Sequence, residues 1–183
     1  INFEKYDFDK INFLFEIDEK NIRFYNVKLT NNENNILITE LVGLKKSNGY
    51  FISGNFVTKN INLNKNEIDN LINDDFRELD IQEISFSSKN NFKFEINKDF
   101  KIKNLDLKSD IDLDNFKFKN SLNLKDFLPK IGKYLIFKNQ KIKFEFIKKN
   151  FTITGKGDVF LQNEIDKIEY KINKKDDEIK FNS

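Results

Sequence analysis

The sequence predicts a mainly β fold: an extended, curved antiparallel sheet, groove-like and repetitive, with two short helices. A β-sandwich is the alternative. Three observations lead there. One amphipathic hairpin is written three times, short polar turns separate the strand-like stretches, and Ala, the best helix former, occurs nowhere in the 183 residues. In the first copy Phe13-Leu14-Phe15-Glu16-Ile17 turns into Ile22-Arg23-Phe24-Tyr25-Asn26-Val27-Lys28-Leu29. The second runs Phe92-Lys93-Phe94-Glu95-Ile96 into Phe100-Lys101-Ile102-Lys103-Asn104-Leu105-Asp106-Leu107. The third, looser, runs Ile142-Lys143-Phe144-Glu145-Phe146 into Phe151-Thr152-Ile153-Thr154. Each arm alternates apolar with polar residues, the period of a strand with one buried face.

Taken in order, strands are expected over 11–17, 22–29, 36–43, 50–59, 80–87, 92–96, 100–107 and 110–118. Five more follow over 134–138, 141–147, 151–161, 165–173 and 178–182. Turns fall at Asp18 to Asn21, Asn31 to Asn35, Ser47-Asn48-Gly49, Lys89 to Asn91 and Lys148 to Asn150. Connections this short join antiparallel neighbours, because a parallel crossover needs a dozen or more residues. The first helix begins at a capping box, Asn64-Lys65-Asn66-Glu67, followed by Ile68, Leu71 and Ile72 at helical spacing. The second is placed at Asp126 to Ile131, with Phe127, Leu128 and Ile131 apolar, Pro129 tolerated early and Gly132 ending it. Ile61-Asn62-Leu63 precedes one helix and Leu122-Asn123-Leu124 the other, so the repeat is larger than a hairpin. The reading is one repetitive segment, 1–183, with units of roughly 1–79 and 80–183.

Within the first two hairpins the alternation slips phase, at Asn26 and at Asn104. A period of two that loses phase at one residue is how a β-bulge looks in sequence, and bulges bend and twist a strand. The third copy keeps phase but carries Gly155 and Gly157, another means of kinking a strand.

Composition narrows the function. Lys+Arg 32 against Asp+Glu 30 gives a net charge of +2, and Arg23 and Arg77 are the sole arginines, so no Arg-rich surface for nucleic acid exists. The abundance of Lys, Asn, Ile and Phe is the shadow of an AT-rich genome, not a low-complexity signal. Cys and His are both absent, which excludes disulfides, Cys–His and Ser–His nucleophiles and Cys/His zinc sites. Gly155-Lys156-Gly157 is too short for a phosphate loop and no helix follows it. Asp110-Ile111-Asp112-Leu113-Asp114-Asn115 resembles the start of a calcium loop. However, Asn115 stands where Gly is required and Ser121 where Glu is. The run reads as the wet face of a strand, so neither metal nor cofactor is expected, and no constellation argues for an enzyme. No apolar run approaches the roughly 20 residues of a membrane span. The absence of Met leads us to expect an internal segment of a longer chain.

What remains is the apolar face. Its candidate contact residues are Phe13, Phe15 and Ile17; Phe92, Phe94 and Ile96; Ile142, Phe144 and Phe146; Ile153, Val159 and Leu161; and Ile168, Tyr170 and Ile172. Their neighbours across the pleat are Lys, Glu, Asp, Thr and Asn, the antiparallel pattern of one greasy and one solvated face. Soluble proteins seldom expose apolar patches beyond a few hundred Å². A second sheet, the two helices or lipid acyl chains are the coverings open to it.

The closing stretch, Phe151-Thr152-Ile153-Thr154-Gly155-Lys156-Gly157-Asp158-Val159 with Ile168-Glu169-Tyr170-Lys171-Ile172, resembles a strand pair of AsmA-like proteins. So does the succession of amphipathic strands with Ile61-Asn62-Leu63 leading into a short helix. This group, with its TamB and YhdP relatives, comprises large envelope proteins of Gram-negative bacteria. The resemblance implies a long groove of repeated antiparallel sheets in the periplasm, tethered to the inner membrane by a segment outside this chain. It implies phospholipid acyl chains as the ligand and other envelope proteins as partners. It carries no catalytic residue. Two rival readings belong to other classes: a structural or adhesive β-domain, and a scaffold that binds a partner by strand addition.

Overall fold

The computed structural model describes residues 10–31, 34–71, 79–99, 101–120, 131–161, 164–175 and 178–182. Its strands are β1 (Lys10–Ile17), β2 (Asn21–Asn31), β3 (Asn34–Lys46), β4 (Gly49–Asn64) and β5 (Ile81–Asn97). They continue with β6 (Ile102–Lys119), β7 (Tyr134–Ile147), β8 (Asn150–Phe160), β9 (Ile165–Lys175) and β10 (Glu178–Asn182). All ten form one antiparallel sheet in chain order, β1 to β10, with each strand bonded to its sequence neighbours. The mainly β, antiparallel expectation is met. The alternative β-sandwich is not what forms: among the described residues there is one sheet, and it does not close on itself.

The turns form as their chemistry dictates. Asp18 Oδ1 accepts from the backbone N–H groups of Lys20 and Asn21, both at 2.8 Å, closing the β1–β2 turn. Lys148 and Lys149 both take positive φ (49° and 70°), the backbone that a two-residue hairpin turn needs. Helix α1 (Lys65–Leu71) carries the expected capping box. Asn64 Oδ1 accepts from the N–H of Asn66 (3.0 Å) and of Glu67 (3.2 Å), while Glu67 Oε2 accepts from the N–H of Asn64 (2.9 Å). Ile68 then docks, 3 % exposed. Of the second expected helix, 126–130 lie outside the described residues, and Ile131 is not helical.

Three corrections concern the strands. The stretches 80–87 and 92–96 are one strand, β5, and 134–138 with 141–147 are one strand, β7. The stretches 100–107 and 110–118 likewise merge in β6. No turn forms at Lys89 to Asn91, and the two asparagine side chains there find partners within the sheet. Asn90 Nδ2 donates to Ser88 Oγ (2.7 Å) and the Phe56 carbonyl (3.3 Å), and Asn91 Nδ2 donates to Asn55 Oδ1 (2.6 Å).

The bulges sit where the alternation slips, and at further positions. Asn26 and Asn104 both have φ 52°, and the register shifts beside each of them. Asn60 and Asn139, both with φ 51°, do the same in β4 and β7. Asn is among the few L-residues that enter the left-handed region readily, which is why it recurs here. The third hairpin therefore bends at Asn139 and not at the two glycines, neither of which has a positive φ. Those glycines make room instead. A Cβ at Gly155 would lie 2.4 Å from Tyr170 Cζ, and one at Gly157 2.6 Å from Gln140 Cδ.

The solvated face carries cross-strand ion pairs, among them Lys93–Asp106 (3.2 Å), Lys108–Glu145 (3.1 Å) and Lys141–Asp112 (2.5 Å). Exposed pairs of this kind add little energy each, but they agree with one register and no other. Asp110 and Asp112 lie exposed on this face, with Lys143 and Lys141 as their direct cross-strand neighbours. The aspartate run is thus a strand's wet face. Among the described residues no acidic cluster is arranged to hold a metal.

Candidate functional site

Register brings the three hairpin copies onto a common face. One row of direct partners runs Phe15, Phe24, Leu41, Gly54, Phe92, Leu107, Phe146 and Phe151, through β1 to β8. The next runs Val27, Ile38, Phe56, Asn90, Ser109, Phe144, Ile153, Ile172 and Phe181, through β2 to β10. A third joins Thr58, Ser88, Ile111, Ile142, Gly155 and Tyr170. Ile17 and Phe94 belong to a flanking row through Ile22, Gly43 and Ile52. Ile96 pairs with Tyr50 and Ile102, Val159 with Phe137, and Ile168 with Gly157. Phe13 packs edge-on against Phe24, ring centroids 5.8 Å apart. Leu161 lies just past β8, partly exposed.

The candidates differ in what covers them. Phe13, Phe15 and Ile17, on the edge strand, are 50 %, 56 % and 65 % exposed. Val159 is buried, and the remaining candidates are partly exposed. Phe94 stacks on Phe92 (5.9 Å between centroids), which also meets Phe56 (6.0 Å). Ile142, Phe144, Ile153, Ile168, Tyr170 and Ile172 line one recess of about 490 Å³. With them stand Ile111, Leu113, Phe116, Phe118, Phe137 and Phe181, which sequence reasoning did not single out. The recess reaches from β6 to β10, an arrangement compatible with a curved, groove-like sheet. Its size falls within the roughly 300–1,000 Å³ of ligand sites.

The electrostatics of this face are uniform. From β4 to β8 the rows named above, with Leu63, Ile84, Leu105 and Leu135 beside them, contain no charged side chain. Tyr170 illustrates the consequence, as burial pushes its phenol above its ordinary 10.0.

Sequence reasoning also missed a polar island in the middle of the face. Thr58, Ser88, Asn90 and Ser109 are only 6 %, 7 %, 8 % and 8 % exposed. Thr58 Oγ1 and Ser88 Oγ share a hydrogen bond of 2.8 Å, and Asn90 bonds Ser88 as described above. Gln140, 1 % exposed, fills the bulge beside Asn139 and donates from Nε2 to the Asp158 carbonyl (2.8 Å). Asp158 braces the same bulge. It accepts from Asn139 Nδ2 (2.9 Å) and pairs with Lys167, and these two contacts hold its carboxyl below 3.8.

The chain's accessible surface is 13414 Å², against about 9,300 Å² for a compact monomer of 21.9 kDa. A sheet with one face exposed contributes to the excess. Compared with protein-family models, curated proteins and solved structures, the chain matches none.

Proposed function

We propose that this chain is a lipid-binding segment, whose apolar face holds phospholipid acyl chains and conducts them between membranes. The observation that carries the reading is the uncharged face of β4 to β8, over which no second sheet lies among the described residues. At about 4.8 Å per strand spacing the five strands β4 to β8 make that face about 19 Å across, within a ten-strand sheet of about 43 Å. Acyl chains laid along it gain about 0.8 kcal/mol per buried CH₂, while head groups stay in water at the rim. The role is passive and non-catalytic. Placement in an AsmA-like envelope protein, in the periplasm and tethered to the inner membrane, is part of the same proposal. It rests on the resemblance of the closing strand pair.

A dry-core structural domain would bury Phe94 and Phe144 between two sheets, but both are partly exposed on a single one. The strand-addition reading has one observation in its favour. Among the described residues β1 pairs on one side only, and its Ile11, Phe13, Leu14, Phe15 and Ile17 are all at least half exposed. The two readings separate by experiment. Delipidated protein should bind a fluorescent fatty acid, and Phe94→Asp with Phe144→Asp should abolish binding while leaving the far-ultraviolet circular dichroism unchanged. Well-folded protein that binds no lipid would overturn the proposal and leave strand addition standing.

A further inference from the structure

The polar island has unused bonding capacity. Ser109 is 8 % exposed, yet its hydroxyl has no hydrogen-bond partner among the described residues. Asn90 spends its amide N–H on Ser88 and the Phe56 carbonyl, which leaves its own side-chain oxygen free. Thr58 and Ser88 share one hydrogen bond between two hydroxyls, so one of their protons is unspent whichever donates. None of these oxygens is sealed off. The one fully enclosed, unpaired side-chain oxygen among the described residues is Gln140 Oε1, one row away.

A hydroxyl donor that loses water and gains no acceptor costs stability. On a face otherwise built of Phe, Ile and Leu, a chain of lipid laid over the island would strand its spare hydroxyl donors unless it offered them an acceptor. That acceptor is uncharged, because no charged side chain on this part of the face could offset a buried phosphate or ammonium. It must accept hydroxyl protons from Ser109 and from the Thr58–Ser88 pair, and it must be attached to hydrocarbon.

We propose that Ser109 and the Thr58–Ser88 pair, the latter held in place by Asn90, seat the ester carbonyls of a glycerolipid whose acyl chains lie on the flanking apolar rows. This rests on the lipid-binding reading and deepens it: the face fixes where along the sheet the ester linkage sits, and it discriminates against plain hydrocarbon. A phospholipid and a diacylglycerol carry the same linkage, and the charged head group of the former would project beyond the island.

Competition against a fluorescent fatty acid tests the idea with three probes: dioleoylglycerol, dioleoylphosphatidylglycerol and squalene. Wild-type protein should favour at least one ester-bearing probe over squalene by roughly five- to tenfold, the worth of one hydrogen bond. Ser109→Ala breaks no internal bond and should fold normally. It should erase most of that preference by weakening the ester-bearing probe several-fold with squalene unmoved. Thr58→Val combined with Ser88→Ala, which removes the pair's unspent proton, should act in the same direction. Loss confined to one ester probe supports the proposal and identifies the source of the linkage. Equal binding of ester and hydrocarbon probes, or a preference untouched by both variants, overturns it while the lipid reading stands. If no probe binds wild-type protein, both fail.

Discussion

Four asparagines at φ 51–52° set the geometry of the sheet, each at a shift of register. Asn26 isolates the backbone contribution, since its side chain makes no hydrogen bond among the described residues. For a β-branched residue the left-handed region costs about 1–2 kcal/mol more than extended backbone, whereas Gly enters it freely. Asn26→Val should therefore destabilise β1–β2 by about 1–2 kcal/mol, and Asn26→Gly should be close to neutral. Urea titration checks this. A Val variant as stable as the parent would show that the bulge is dispensable. Asn26 and Asn104 were legible in sequence because apolar residues flank them closely on both sides, so the slip shows. Asn60 and Asn139 were not. They lie in longer polar runs, Thr58-Lys59-Asn60 and Lys138-Asn139-Gln140-Lys141, where a slip leaves no mark on the alternation.

At the scale of an element, local chemistry was readable and lateral chemistry was not. The cap of α1 closes within four residues, Asn64 to Glu67, and the sequence displays both partners together. The centre of β5 looks like a turn because Lys89, Asn90 and Asn91 are polar. Their stabilising partners, Phe56 and Asn55, lie more than thirty positions away on β4. The β8–β9 pair shows the same dependence. Tyr170 lies over Gly155, and a methyl there would fall 2.4 Å from both its Cζ and its Oη. Gly155→Ala must push the ring off its seat and toward water. Burial raises the phenol above 10.0, so the folded state disfavours phenolate and loses stability as pH climbs through the raised value. In the alanine variant that residue should titrate nearer 10.0, and the alkaline loss should shrink. Ultraviolet titration of tyrosinate reads both, and an unchanged Tyr170 titration would mean the ring stays seated despite the methyl.

Among the described residues the strands form a single layer in which each leans chiefly on its neighbours in sequence. Among the described residues few large apolar side chains are buried: Val27, Ile61, Ile68, Leu113, Leu135 and Val159. None of them lies in β1, β9 or β10. The central strands β5 and β6 run 17 and 18 residues and are flanked on both sides, whereas β1 has 8 and β10 has 5, all exposed. Stability in such an array is close to a sum of nearest-neighbour terms, as in repeat proteins, and so cannot be uniform. Amide hydrogen exchange should show protection greatest in β5 to β7 and declining stepwise toward β1 and β10. The outer strands should open without the centre, and denaturation followed by different probes should not coincide, a departure from two-state behaviour. A bound acyl chain spans several rows and couples strands that do not otherwise touch. If the face holds lipid, loading it should therefore raise protection in β8 to β10, around the recess lined by Ile153, Tyr170, Ile172 and Phe181, more than in β1. Equal protection from β1 to β10 in the lipid-free protein would contradict the nearest-neighbour account. A lipid effect confined to β1 would move the binding site away from the recess.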